Sequence, residues 1–197
     1  MKPYGVKSLS ILVVLLFGVG LFNLTSAYGS SQVIFGGGSE RWRPQGGQYN
    51  MDIYEAVAYI DSFHTLATLI KASGLEKTLK GKGPYTLFAP TDKAFSKLPP
   101  DCLQNLLKPE NKAKLAALLG NLVVLGKIMA LDIIKMTSVK NIEGMPLRFY
   151  SSGDSIEVGR ALILRANIEA QNGVIHAIDK IIMPESFVGA VGECPTS

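Results

Sequence analysis

Cysteine and histidine are scarce: the chain holds only two of each, Cys102 and Cys194, His64 and His176. Their separations match none of the spacings at which these residues hold zinc, so neither a metal nor a cofactor is expected. Charge is thin as well. Charged residues make up 18% of the 197, and the formal net charge is +4. Lys2 and Lys7 supply two of those four charges, because residues 1–27 contain no acid, and residues 28–197 are left with +2. The remaining lysines are interspersed with acids along the chain instead of forming a basic block, which speaks against a nucleic-acid partner. The glycine triplet at residues 36–38 lacks the strand before it, the helix after it and the Gly-Lys-Ser/Thr ending of a phosphate loop. What the chain does have is apolar material: 47% hydrophobic residues, enough to bury one domain core of ordinary size.

The N-terminus carries an export signal. Residues 9–24 are almost wholly apolar behind Lys2 and Lys7, and Thr25-Ser26-Ala27 offers the small residues at which a signal peptidase cuts. A second reading remains open: extended to Ala27 the run is long enough for a retained single-pass anchor with the two lysines on the inner side. Residues 28–50 shift to Gly, Ser and Gln, the composition of a flexible tether. Within them Arg41, Trp42 and Arg43 place the sole tryptophan between two cations, a candidate docking point for a partner or a membrane interface.

Helical periodicity begins after Met51. Ile53, Ala56, Val57 and Ile60 share a stripe, Asp61 or Ser62 is placed to cap a second helix, and Phe63, Leu66, Ala67 and Ile70 line that helix until Gly74 stops it. His64 falls off the stripe and faces solvent. Residues 85–95 (YTLFAPTDKAF) then read as a buried strand broken at Pro90, with Thr91 or Asp92 capping a short helix that turns Phe95 inward. Pro99-Pro100-Asp101 opens a further helix, and Pro109 another whose apolar face runs through Leu115, Leu118, Leu119 and Leu122. From Val139 onward, short strands at 147–150, 156–158, 161–164 and 168–170 are separated by turns at 151–154, 159–160 and 165–167. Residues 172–184 (NGVIHAIDKIIMP) close the series: Asn172-Gly173 supplies positive-φ hairpin chemistry, and the strand that follows is apolar on both faces, as only a strand covered from both sides is.

These two blocks, residues 85–95 and 172–184, resemble the two signature motifs of fasciclin-type (FAS1) domains, and residues 63–79 (FHTLATLIKASGLEKTL) resemble the helical lead-in to the first. The resemblance spans residues 51–185, leaving 1–27 as signal or anchor, 28–50 as linker and 186–197 as a C-terminal tail. It implies an α+β fold, a wedge of about seven strands in two packed β-sheets with several small helices on one side. It also implies that Thr91, Asp92, Phe95, Asn172, Gly173, His176 and Asp179 hold the two motif regions together. In that role His176 is a buried, hydrogen-bonded residue. Three positions apart on a strand, His176 and Asp179 point to opposite faces and make a poor catalytic pair.

Residues 122–127 (LVVLGK) are similar to a further family element, usually a Tyr-His pair followed by two valines, Pro, Gly and Lys. Asn121 and Leu122 replace the pair here. In animal members that pair is associated with integrin-dependent adhesion, so the replacement speaks against an integrin-type partner. The resemblance implies a non-enzymatic, exported adhesion or interaction module that binds a protein or polysaccharide outside the cytoplasm. The alternative is an accessory, membrane-tethered subunit of a larger membrane complex. In an exported protein Cys102 and Cys194 either form a disulfide that staples the tail to the helical side or stay as free thiols; a gap of 92 residues decides neither.

Overall fold

The computed structural model describes residues 50–184; the leader, the glycine-rich stretch with Arg41, Trp42 and Arg43, and the tail with Cys194 lie outside the described residues. The chain enters through α1 (Ile53–Tyr59), whose start is closed by a reciprocal pair of bonds. Asp52 Oδ1 accepts from the Glu55 amide at 2.8 Å, and Glu55 Oε2 accepts from the Asp52 amide at 3.1 Å. Ile53, Ala56 and Val57 are its buried face. After a 3-10 turn (Asp61–Phe63) comes α2 (His64–Ser73), which buries Leu66, Leu69 and Ile70 and ends where Gly74 takes φ +86°, a left-handed stop that costs glycine nothing. The short α3 (Glu76–Leu79) leads into β1 (Tyr85–Pro90).

Beyond β1 lie α4 (Asp92–Phe95), α5 (Pro100–Leu106), a second 3-10 turn (Pro109–Asn111) and α6 (Lys112–Gly120), which packs on α2. Then follow β2 (Val123–Leu125), α7 (Ala130–Ile133), β3 (Ser138–Lys140), β4 (Pro146–Ser152), β5 (Ser155–Val158), β6 (Ala161–Ala170) and β7 (Gly173–Ile178). Neither α7 nor β3 is legible as an element in the sequence. Each is three or four residues long, too short for a period to show.

The seven strands form a sheet in the order β2-β1-β7-β6-β5-β4-β3. This is the expected α+β class and strand count. The two expected sheets are the two walls of this continuous sheet, which curls until its ends approach: Val124 of β2 bridges Asn141, just past β3, and the Ile142 amide donates to the Val123 carbonyl at 2.9 Å. β1 and β7 run parallel with Phe88 opposite His176, and β1 pairs antiparallel with β2. All six residues of β7 are buried. One face, carrying Gly173, Ile175 and Ala177, lies under α1, where Ile53 Cδ1 comes against Gly173. The other, carrying His176, faces into the curl, where Phe88 meets Phe149 of β4 at 5.9 Å between ring centroids. Leu87 and Ile178 lie on these opposite faces but belong to one contiguous apolar core.

Three local expectations are corrected. The helix α2 takes no side-chain cap from Asp61 or Ser62, which are spent in the 3-10 turn; its N-cap position is Phe63. Residues 165–167 do not end a strand. The strand β6 runs through them with register shifts at Ile163/Arg165 and Arg165/Ile168, and Asn167 absorbs the extra length at φ +60°. Asn172 and Gly173 do not adopt positive φ either. The β6–β7 turn is Gln171-Asn172, and Gly173 already pairs with Ala170 as the first residue of β7.

Candidate functional site

The two motifs meet as adjacent parallel strands, and their polar residues occupy three positions along that junction. At its lower end stands Asn172. Its Oδ1 accepts from the Ile53 amide at 2.9 Å, its Nδ2 donates to the Leu79 and Gly81 carbonyls at 2.6 and 2.7 Å, and its own carbonyl accepts from the Tyr85 amide at 2.9 Å. One side chain thus ties the start of α1, the end of α3 and the loop into β1 to the hairpin of β7. Gly173 is required beside it for a different reason than turn chemistry. A Cβ there would overlap the Tyr85 carbonyl oxygen and come within 2.8 Å of Ile53 Cδ1.

In the middle sits His176, fully buried, its ring stacked on Phe88 at 5.5 Å. The Asn167 amide donates to Nδ1 at 3.3 Å, so that nitrogen carries no proton, and Nε2–H donates to the Ile128 carbonyl at 2.8 Å. The neutral imidazole therefore pins the bulge of β6 and the loop before α7 to β7. Burial pushes its pKa down to about 4, and the bond to the Ile128 carbonyl opposes that only in part. Nearby, Thr86 Oγ1 donates to the Gly126 carbonyl at 2.6 Å and accepts from the Ile128 amide at 2.9 Å, holding the same loop from β1.

At the upper end are Thr91, Asp92, Phe95 and Asp179. Asp92 is the first residue of α4, yet neither it nor Thr91 caps that helix with its side chain. The Asp92 carboxylate reaches back to α2, where Oδ1 accepts from the Thr65 amide at 2.8 Å and Oδ2 from the His64 amide at 3.2 Å, closing the helix end that the sequence around Asp61 leaves open. Burial raises its pKa, but the bonds from Thr65 and His64 outweigh that and hold it below the ordinary carboxylate value. Thr91 acts through its backbone, its amide donating to the Ile178 carbonyl at 3.2 Å and its carbonyl accepting from Ala94 and Phe95; its buried hydroxyl has no partner among the described residues. Phe95 packs into the core. Asp179 Oδ1 accepts from the Leu162 amide at 2.7 Å, extending the β6–β7 ladder past its end, and Lys97 Nζ donates to the Asp179 carbonyl at 2.9 Å.

The variant pair Asn121 and Leu122 is buried. Asn141 Nδ2 donates to Asn121 Oδ1 at 2.5 Å and Asn141 Oδ1 accepts from the Met145 amide at 2.8 Å, so the two asparagines fasten the seam between β2 and β3 while Leu122 fills the core. Cys102 is buried on α5 and is not a free thiol; Cys194 lies outside the described residues. Sequence reasoning missed Asn167, Thr86 and Asn141. The one available signal was an asparagine within a stretch of β pattern, which tolerates positive φ and so accommodates a bulge. Among the described residues, no group of three or more His, Cys, Asp or Glu could hold a metal ion, and no helix is long and apolar enough to cross a membrane.

The Fasciclin domain family model matches residues 61–184. The protein sll1483 of Synechocystis sp. is 40% identical over 68% of this chain and 74% of its own length. Transforming growth factor-beta-induced protein ig-h3 of Sus scrofa is 36% identical over 68% of this chain, which corresponds to 20% of that longer protein. Among solved structures, a FAS1 domain pair from the insect cell adhesion molecule Fasciclin I superposes with a TM-score of 0.63 at 16% identity, over 71% of this chain and 52% of the other.

Proposed function

This chain belongs to the fasciclin domain family, and from that premise we propose that it is a non-catalytic interaction module that works outside the cytoplasm and binds a protein or polysaccharide partner. The observation that carries the proposal is how the motif residues are used. His176, Asp92 and Asp179, the titratable side chains of the two motifs, and the Asn172 amide each hold backbone amides or carbonyls of other segments in place. A side chain so engaged stiffens a scaffold and is not free to exchange protons with a substrate. The name of the Fasciclin I structure, a cell adhesion molecule, supports adhesion as the kind of work done. The sequence of residues 1–27, which reads as an export signal, supports the compartment.

The test is fractionation of native cells followed by N-terminal sequencing of the mature protein. Recovery outside the cytoplasm without residues 1–27, with co-purification of matrix or cell-surface material, is the expected result. Recovery in membranes after carbonate washing, with the leader intact and a stable complex in mild detergent, would replace this reading with that of a tethered subunit. Turnover abolished by His176→Gln in a variant that keeps its fold would overturn the non-catalytic reading altogether.

A further inference from the structure

Lysines that lie apart along the chain gather at one corner of the helical layer. The described residues 50–184 hold sixteen Lys and Arg against thirteen Asp and Glu, a net of +3. Residues 71–80 and 108–114 alone hold six lysines (71, 77, 80, 108, 112 and 114) against Glu76 and Glu110, a net of +4. Everything else described therefore sums to −1, and the excess positive charge of the domain resides in these two segments.

The fold brings them together. The helices α2 and α6 pack on one another, and Lys112, the first residue of α6, lays its side chain over the end of α2, with Cε 3.9 Å from where a Cβ on Gly74 would stand. Lys71 lies in the last turn of α2, three residues before that glycine, and Lys77 follows it on α3. Lys108 leads into the 3-10 turn that runs directly into α6. All six lysines are exposed. Of the two acids, Glu76 is engaged by Lys80 at 2.8 Å.

We propose that this lysine corner, formed by the end of α2, α3 and the start of α6, is a docking surface for an acidic polysaccharide. This rests on the reading of the protein as an interaction module and names a class of partner for it. The cations are all lysines, compact charges on flexible stems, without the planar arginine forks that pair with a fixed bidentate geometry. Residues 71–80 and 108–114 contain no aromatic side chain, and the neighbouring Tyr54 ring already lies under Lys80 Nζ at 5.0 Å, which leaves no run of rings among these cations on which bases would stack. The large exposed apolar side chain bordering these segments is Leu107, next to Lys108, which is too little to insert into a bilayer. A flexible polyanion with charges at irregular spacing suits such a surface, and long-range attraction governs its capture.

The experiment uses full-length protein on agarose carrying dextran sulfate, with neutral dextran agarose as the blank and anionic phosphatidylglycerol vesicles as a parallel arm. At about 50 mM salt, where screening is weak, retention on dextran sulfate and none on neutral dextran is expected. Lys71→Glu with Lys112→Glu should weaken binding roughly tenfold or more and lower the salt needed for elution. Lys140→Glu with Arg148→Glu, on β3 and β4, makes the same change in net charge and should leave binding nearly unchanged. Circular dichroism melting of both variants confirms that these exposed substitutions leave the fold intact. No retention of the wild type, an equal loss in both variants, or binding to the vesicles alone would each overturn the proposal. If the wild type fails on dextran sulfate while native material still co-purifies with matrix, only this inference falls and the interaction module stands.

Discussion

Acidification should destabilise the domain through His176, and the size of the effect follows from the ring's surroundings. The imidazole is neutral, with Nδ1 accepting from the Asn167 amide and Nε2–H donating to the Ile128 carbonyl. A second proton would sit on Nδ1 facing another N–H, inside a pocket walled by Phe88. Burial therefore lowers the folded-state pKa to about 4, whereas the unfolded chain keeps the ordinary histidine value of 6.5. The unfolded chain takes up the proton first as pH falls. The contribution of the neutral ring is thus complete above pH 6.5, declines as pH falls towards 4, and has no further slope below that. A separation of about 2.5 pH units at ~1.4 kcal/mol each gives a loss of about 3 kcal/mol across that window. Carboxylates titrate at the acid end of the same range, so the measurement is a difference. Urea unfolding of the wild type and of His176→Gln is compared from about pH 7 down to pH 4. Glutamine keeps an amide donor for the Ile128 carbonyl and has no titrating group. The variant should be less stable at neutral pH, and the gap should narrow by about 3 kcal/mol on acidification. A gap constant with pH would refute the burial of a neutral ring at this position.

Other perturbations have separate readouts. Gly173→Ala drives a methyl into the Tyr85 carbonyl and Ile53, so β1 and β7 must part; a loss of about 3 kcal/mol or more in thermal unfolding is expected. Asn172→Ala removes three side-chain hydrogen bonds and leaves the Ile53 amide and the Leu79 and Gly81 carbonyls unpaired, for about 3 kcal/mol in urea unfolding. Asp92→Ala uncaps α2 from a distance and should cost about 1 kcal/mol, with faster amide exchange at His64 and Thr65, the two amides that lose their acceptor. Because the Asp92 carboxyl is held below its ordinary value, its contribution is present above the unfolded carboxylate pKa and is lost as pH falls through the lower folded one. The deficit of Asp92→Ala should accordingly shrink at the acid extreme.

What the amino-acid order settles alone is local. The run YTLFAP must be a buried strand, GVIHAI must be covered on both faces, and Gly74 must end a helix, since each depends on residues within a few positions of one another. The partners of the polar side chains depend on segments far away in sequence. Asp92 looks like the cap of its own helix until α2 is seen to present two open amides to it, 27 and 28 residues back. Asn172 looks like turn chemistry until the packing of α1 and α3 at the start of β7 sets three distant backbone groups around it. The bulge at Asn167 forms because β6 must hold register with β7 on both sides of His176, a condition that no window of residues contains. In the same way lysines that are diluted by acids along the chain become a charged corner only when α2 and α6 pack. Propensity and hydrophobic period act over a few residues, while hydrogen-bond satisfaction and surface charge are properties of neighbours in space, and only tertiary structure decides who those neighbours are.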